Sequence, residues 1–441
     1  MVRSKRRCAR PERARCRSRD IVLECAAMSD TKSEARIPDS LRLGPGALRG
    51  AVPVPPSKSL WHRGLVCAAL AGAPGSCRAE GEASEDIAAT RRALAALLAP
   101  PPADGAPARV DCGESGTTLR LLVPVAAALG RDAVFEGRGR LPLRPMKPYA
   151  DAFAGSGADL AFPDEPGTFL PLRLSGRLRP GRYALPGDVS SQFVSGLLLA
   201  LPLLDGASEI VLTSPLESAP YVRMTLAAMR AYGVEAAETA AGFAVAGPQR
   251  YRAPAAPFAV EPDASQAAFW HLANFLGSDV SFARAPERSN LQGDAVFPEL
   301  LARLAAAPAG GPPPAFDVSQ TPDLVPALAA AAAWSPAGAR IVHAERLRLK
   351  ESDRLATTCA MLRAFGCAAE ETEDGLAIPP GPPSHPPSPP EVDGAGDHRI
   401  AMSAAMLATR APCVLRGAGA VAKSWPSFFD DYRRAGGAAA P

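Results

Sequence analysis

No stretch of the chain stays apolar long enough to span a bilayer. The longest candidate, Phe193 to Leu204, is interrupted by Ser195, Gly196 and Pro202 and falls short of the ~20 residues a spanning helix needs. No membrane partner is therefore expected. Cofactor signatures are missing too: there is no GxGxxG after a strand, no GxxxxGK[ST], no HExxH and no GxSxG. Cofactor- and metal-dependent chemistry are disfavoured, and no cofactor is expected. The nine cysteines are odd in number and scattered, with no CxxC pair and no metal-ligand spacing, which suits a reducing cytosol and a cytoplasmic protein.

The body of the chain also lacks a basic excess. Net charge is +3, but residues 1 to 20 hold nine Lys/Arg against Glu12 and Asp20, which leaves the remainder mildly acidic. A nucleic-acid binder carries its positive charge on the folded body, so no nucleic-acid partner is expected. The Arg-rich start reads as a transit peptide, a nucleic-acid arm or upstream sequence, and residues 1–36 as a basic, disordered tail. Met28-Ser29-Asp30 looks like a conventional soluble start. What remains of the 441 residues, at 47% apolar overall, suffices for one or two substantial cores.

From residue 50 an amphipathic helix, a glycine and a short strand recur. Tyr149 to Phe153 leads through Gly157 to Ala158–Leu160, Tyr221 to Tyr232 through Gly233 to Val234–Ala236, and Arg354 to Phe365 through Gly366 to Cys367–Ala369. Each glycine falls where a helix C-cap belongs. The spacing predicts about six α/β units. Pro379 to Pro390 reads as an exposed loop insertion.

Chemistry-bearing residues cluster at predicted helix starts. Ser57-Lys58-Ser59-Leu60-Trp61-His62-Arg63 puts a hydroxyl and a guanidinium four residues apart on one face. Cys112 to Arg120 sets glycines and hydroxyls before an apolar helix, where free N–H groups attract anions. Asp188-Val189-Ser190-Ser191-Gln192 does the same. Lys350-Glu351-Ser352-Asp353-Arg354, Asp397-His398-Arg399 and Lys423-Ser424 bring cations to helix starts, which the macrodipole disfavours unless an anion is present. Each alone reads more simply as a capped helix, His398 as a structural partner and Asp323, after Pro322, as an N-cap. Together they point to a polyanionic ligand bearing phosphate and carboxylate.

SKSLWHR, GESGTTLR, LRPMKPYADA, DVSSQF, SAPYVRMTL, NLQGD, TPDLVPALA, LKESDRL, GDHRIAM and KSWPSFF, in this order over residues 50 to 430, resemble the 5-enolpyruvylshikimate-3-phosphate synthase family. The resemblance implies an α/β, two-lobed enolpyruvyl transferase fold: six βαβαββ units in two pseudo-threefold lobes around a cleft. It implies an upper lobe of residues 56–258, a lower lobe of residues 37–55 and 259–434, and a C-terminal tail of residues 435–441. The implied activity is transfer of the enolpyruvyl group of phosphoenolpyruvate to the 5-hydroxyl of shikimate 3-phosphate, with release of phosphate, by a monomer.

Carried onto this chain, the resemblance assigns shikimate 3-phosphate to Lys58, Ser59, Arg63, Ser190, Ser191, Gln192, Ser218, Tyr221, Asp323 and Lys350. It assigns phosphoenolpyruvate to Lys58, Gly116, Arg144, Gln192, Arg354, Arg399 and Lys423. Asp323 is the implied base at the 5-hydroxyl, and Lys58 and Glu351 the proton-handling pair at C3. A methyl added at Gly116 is expected to point at the ligand. The chain departs from the family where a common Asn is Glu114, where another is Arg346, and where a frequent proline is Leu121. The related transferase that acts on UDP-N-acetylglucosamine uses a loop cysteine, and Arg138 to Met146 holds none. A non-enzymatic anion-binding scaffold is the other alternative.

Overall fold

The computed structural model describes residues 37–286, 291–381, 383–384 and 388–441, so the tail expected over residues 1–36 lies outside the described residues. Among these residues the strands form four four-stranded sheets and two two-stranded ones.

One unit shows how sequence builds the pattern. Strand Ala108–Asp111 leads into helix Gly116–Leu129, which Ser115 caps by accepting from the Thr118 N–H at 3.1 Å. Gly130, at φ 64°, ends the helix in the left-handed conformation. Pro124 inside it has no N–H to give Arg120, and the orphaned Arg120 carbonyl accepts instead from Tyr149 Oη at 2.6 Å. Strand Ala133–Glu136 then lies parallel to Ala108–Asp111. After helix Lys147–Phe153, strands Ala158–Ala161 and Leu172–Gly176 add an antiparallel hairpin. The same β-α-β-α-β-β order runs from Arg182–Leu185 to Gly242–Val245 and from Ala315–Asp317 to Leu376–Ile378.

The fourth such sheet holds Glu391–Asp393, Cys413–Arg416 and Ala438–Ala440, and Ser40–Gly44 from the other end of the chain supplies its last strand. Residues 435–441 are thus no loose tail, because Ala438 pairs with Gly44 and Ala440 with Arg42. Three alanines carry little intrinsic strand signal, so partnership with Ser40–Gly44 decides their conformation. Two further strands begin later than expected. Gly233 and Gly366 do cap their helices, but Val234 and Cys367 are still tied back to Met229 and Leu362 carbonyls at 3.0 Å. Pairing therefore starts only at Ala237–Thr239 and Glu370–Glu371 rather than at Val234 and Cys367. In the proline-rich loop, residues 382 and 385–387 lie outside the described residues; Pro379, Pro380, Ser388 and Pro389 are exposed, whereas Pro383 is buried.

The two small sheets mark where the chain crosses between two hydrophobic cores. One core draws on residues 60–260, the other on residues 41–52 and 268–435. Strand Arg49–Val52 pairs with Asp279–Phe282, yet the chain after it enters helix Lys58–Leu70 of the other core. Strand Phe258–Val260 pairs with Cys77–Ala79, and the chain after it returns through helix Ala264–Phe275. The two crossings run side by side: Ser57 donates to the Glu261 carbonyl and Asp263 to that of Pro55, each at 2.8 Å.

Candidate active site

A cleft lies between the cores, and helix starts from both sides reach its wall. Every residue assigned to substrate or catalysis from the sequence lines it, with the exception of Lys423.

Lys58 opens helix Lys58–Leu70. Its backbone N–H donates to Asp263 Oδ2 at 2.9 Å, and Asp263 Oδ1 caps helix Ala264–Phe275 at the Gln266 N–H. One carboxylate thus caps a helix from each core. The Lys58 ammonium contacts Asp86 at 2.7 Å and the Lys423 carbonyl at 3.3 Å. A turn later Arg63 is buried, held only by neutral groups: Thr225 Oγ1 at 2.7 Å, the Ser59 carbonyl at 2.7 Å and Ser195 Oγ at 3.3 Å. Burial without a carboxylate partner lowers its pKa to about 10, so an anion arriving in the cleft would meet an uncompensated cation.

Ser190 caps helix Ser191–Ala200, and Gln192 in its first turn is fixed by Arg120 at 3.0 Å on one side and Thr117 Oγ1 at 2.8 Å on the other. Arg120 also donates to the Pro145 carbonyl at 3.0 Å, which ties down the loop carrying Arg144. Ser218 adopts a left-handed φ of 53°, an uncommon conformation for serine, and its N–H reaches across to the Ser319 carbonyl at 3.0 Å. A Cβ built at Gly116 falls 2.6 Å from Arg144 Cζ, so a methyl there points at the guanidinium and not directly into open ligand space.

On the other side Asp323 caps nothing. Its carboxylate accepts from Arg354 at 3.0 Å and Arg399 at 2.8 Å, with the Lys350 ammonium at 3.7 Å. Burial alone would raise its pKa, but Arg399, Lys350 and Arg354 outweigh that and hold it well below the usual carboxylate range. Glu351 accepts from Arg354 at 2.6 Å and faces Arg144 across the cleft at 3.6 Å; burial is again outweighed, chiefly by Arg354, and its pKa is lowered. Burial, only partly offset by Asp323, brings Lys350 down to about 8.

Several wall residues were not singled out from the sequence: Asp86, Asp263, Ser265 and Gln266. Asp294, the end of the NLQGD motif, lies just behind them. Asp294 accepts from Tyr221 Oη at 3.0 Å and from Ser265, and burial together with nearby Asp323 raises its pKa to about 6. Its other oxygen, Gln266 Oε1 and both ring nitrogens of His398 are buried without a hydrogen-bond partner. Buried polar atoms are nearly always satisfied, so Gln266 and His398, which line the cleft, mark a wall shaped for a polar ligand. His398 is kept neutral by burial, then by Lys58 and Arg399. Two of the three departures from the resemblance are paired between the cores: Glu114 with Lys423 at 2.6 Å, and Arg346 with Glu217 at 2.6 Å. Leu121 is buried in the core of residues 60–260.

Among the described residues, four mixed four-stranded sheets and two parallel two-stranded ones, with a cation-lined cleft between two cores, define an enolpyruvyl transferase fold. An enolpyruvyl transferase of Streptomyces tendae, NikO, has the same fold, with a TM-score of 0.62 over 91% of this chain and 98% of that one at 16% identity. An EPSP synthase of Acinetobacter baumannii matches over 91% of this chain and 100% of its own, with a TM-score of 0.66 and 26% identity. The 3-phosphoshikimate 1-carboxyvinyltransferases of Clostridium acetobutylicum and Clostridium kluyveri are 36% and 37% identical, over 90% of this chain and 97% of theirs. The profile of EPSP synthase (3-phosphoshikimate 1-carboxyvinyltransferase) matches residues 43–432, and the chain belongs to that family.

Proposed function

We propose that this cleft carries out the family's reaction, enolpyruvyl transfer from phosphoenolpyruvate to the 5-hydroxyl of shikimate 3-phosphate with release of phosphate, through the residues lining it. One observation carries the reading: in a chain whose body is otherwise acidic, Lys58, Arg63, Arg144, Lys350, Arg354 and Arg399 converge on one cleft. Two phosphates and two carboxylates are the charge these cations match.

Asp323 takes the proton of the 5-hydroxyl as its oxygen bonds to C2 of phosphoenolpyruvate. C3 gains a proton from the Lys58 and Glu351 pair, giving a tetrahedral adduct. Return of that proton to the pair breaks the C2–O bond to phosphate, which leaves against Arg354, Arg399 and Lys423. Arg354 and Arg399 hold Asp323 ionised but weakly basic. Substrate anions that compete for these guanidiniums raise its basicity when it is needed. Ser190, Ser191, Ser218, Lys350 and Arg63 hold shikimate 3-phosphate, with Ser59, Gln192 and Tyr221; Gly116, Arg144 and Gln192 hold phosphoenolpyruvate.

The two cores are the two lobes, residues 56–258 and residues 37–55 with 259–434, the latter extended by the strand Ala438–Ala440. Both lobes of a single chain supply the lining residues, so the reading needs no second copy, and the enzyme is taken to act as a monomer in the cytoplasm. Among the described residues no helix is long and apolar enough to cross a membrane. The test is phosphate release measured with both substrates and with each alone. Release that needs only one of them would sink this reading, as would an Asp323→Asn variant that keeps full kcat.

A further inference from the structure

Lys423 is the one cation assigned to phosphoenolpyruvate that does not line the cleft. Its ammonium is drawn to Glu114 at 2.6 Å and to the Gly396 carbonyl at 2.6 Å. Glu114 is itself held in place rather than dangling. Gly113, at φ 58°, is fixed by Asp111 through its N–H at 2.8 Å, and the Arg138 N–H ties the facing loop to the Gly113 carbonyl at 2.8 Å. The Glu114 carboxylate lies in the space left by the missing side chain of Gly139, where a Cβ would fall 2.6 Å from Glu114 Cδ. Two loops are thus shaped around an acid that occupies the ammonium.

We propose that Glu114 is a specificity-determining residue that competes with the phosphoryl group for Lys423 and so sets the affinity of the site for phosphoenolpyruvate and for inorganic phosphate. This rests on the reading of Lys423 as a phosphate cation. Binding a phosphoryl group requires the ammonium to leave Glu114, and the displaced carboxylate, 30% exposed, turns to solvent. An amide at the same position cannot hold the ammonium by charge. The competition acts alike on the bound substrate and on later states of the reaction, so its effect falls on KM.

The test compares wild type with Glu114→Gln, Lys423→Met and the double variant. The readouts are KM for phosphoenolpyruvate at saturating shikimate 3-phosphate and the dissociation constant of inorganic phosphate by calorimetry. Glu114→Gln should lower both by roughly three- to tenfold, the range of a partly exposed, charge-assisted pair. In the Lys423→Met background the same change should have little effect. Unaltered or weaker phosphate binding in Glu114→Gln, while Lys423→Met still weakens it, would overturn the proposal. Full phosphate affinity in Lys423→Met would instead overturn the underlying reading of Lys423. Small-angle scattering guards against the other structural role: a higher KM with a larger radius of gyration in Glu114→Gln would make the pair an inter-lobe latch and the proposal wrong.

Discussion

Gly116 shows how a single hydrogen atom can be a binding determinant. Its side-chain space is filled by the Arg144 guanidinium, so Gly116→Ala must push that group away. KM for phosphoenolpyruvate should rise about tenfold, equivalent to about 1.4 kcal/mol, while KM for shikimate 3-phosphate moves far less. Steady-state kinetics with each substrate varied would reveal an equal rise in both constants if Arg144 did not mediate the effect. Lys350 offers a pH signature. With its pKa near 8 the group is charged below that pH and loses its charge above it, so kcat/KM for shikimate 3-phosphate should fall on the alkaline side. Lys350→Arg keeps its charge and should move that limb upward; a limb that stays near 8 would assign it to another group. Most cleft residues were readable because each belongs to a helix start, where hydroxyls, glycines and cations leave a local trace. Asp86 and Asp263 leave none, and Asp294 was visible only as the end of NLQGD. Asp263 looks like any N-cap, and only a contact with Lys58, 205 residues away in sequence, makes it part of the site. Lys423 was readable as a cation but not as one already paired, since Glu114 lies 309 residues from it.

Helix ends were more legible than the strands beyond them. Gly233 and Gly366 both close their helices at positive φ, 74° and 87°, as their positions after amphipathic runs indicated. The strand that follows depends on where a partner becomes available, which no local pattern records. The two glycines differ in surroundings, and that difference can be measured. A Cβ at Gly233 meets nothing, whereas one at Gly366 runs into the Ser384 backbone, with the Ser384 carbonyl carbon at 3.0 Å. Gly233→Ala should cost about 1 kcal/mol of stability from backbone strain alone, and Gly366→Ala about 2–3 kcal/mol because the loop at Ser384 must also shift. Urea unfolding of both variants would expose a mistaken packing argument as equal losses.

Over the whole molecule, the repeated β-α-β-α-β-β order was visible as a periodicity, but its closure was not. The last repeat takes its final strand from Ser40–Gly44, so the two ends of the described chain lie in one sheet. Removing residues 436–441 should therefore cost about 2–4 kcal/mol through lost ladder hydrogen bonds. It should also bare the edge of Ser40–Gly44 to self-association. Thermal unfolding and size-exclusion chromatography would check this, and a variant as stable and as monodisperse as the full chain would mean that Ala438–Ala440 contribute nothing. The same closure imposes an order on biosynthesis. The core of residues 60–260 is one continuous stretch, complete once the ribosome has passed it. Ser40–Gly44, made earlier, must wait for Cys413–Arg416 and Ala438–Ala440. At elongation rates of about 5–20 residues per second, synthesis from residue 260 to residue 440 takes roughly ten to forty seconds, during which an unpaired strand hangs beside an already folded neighbour and depends on chaperones or its own brevity to stay unpaired.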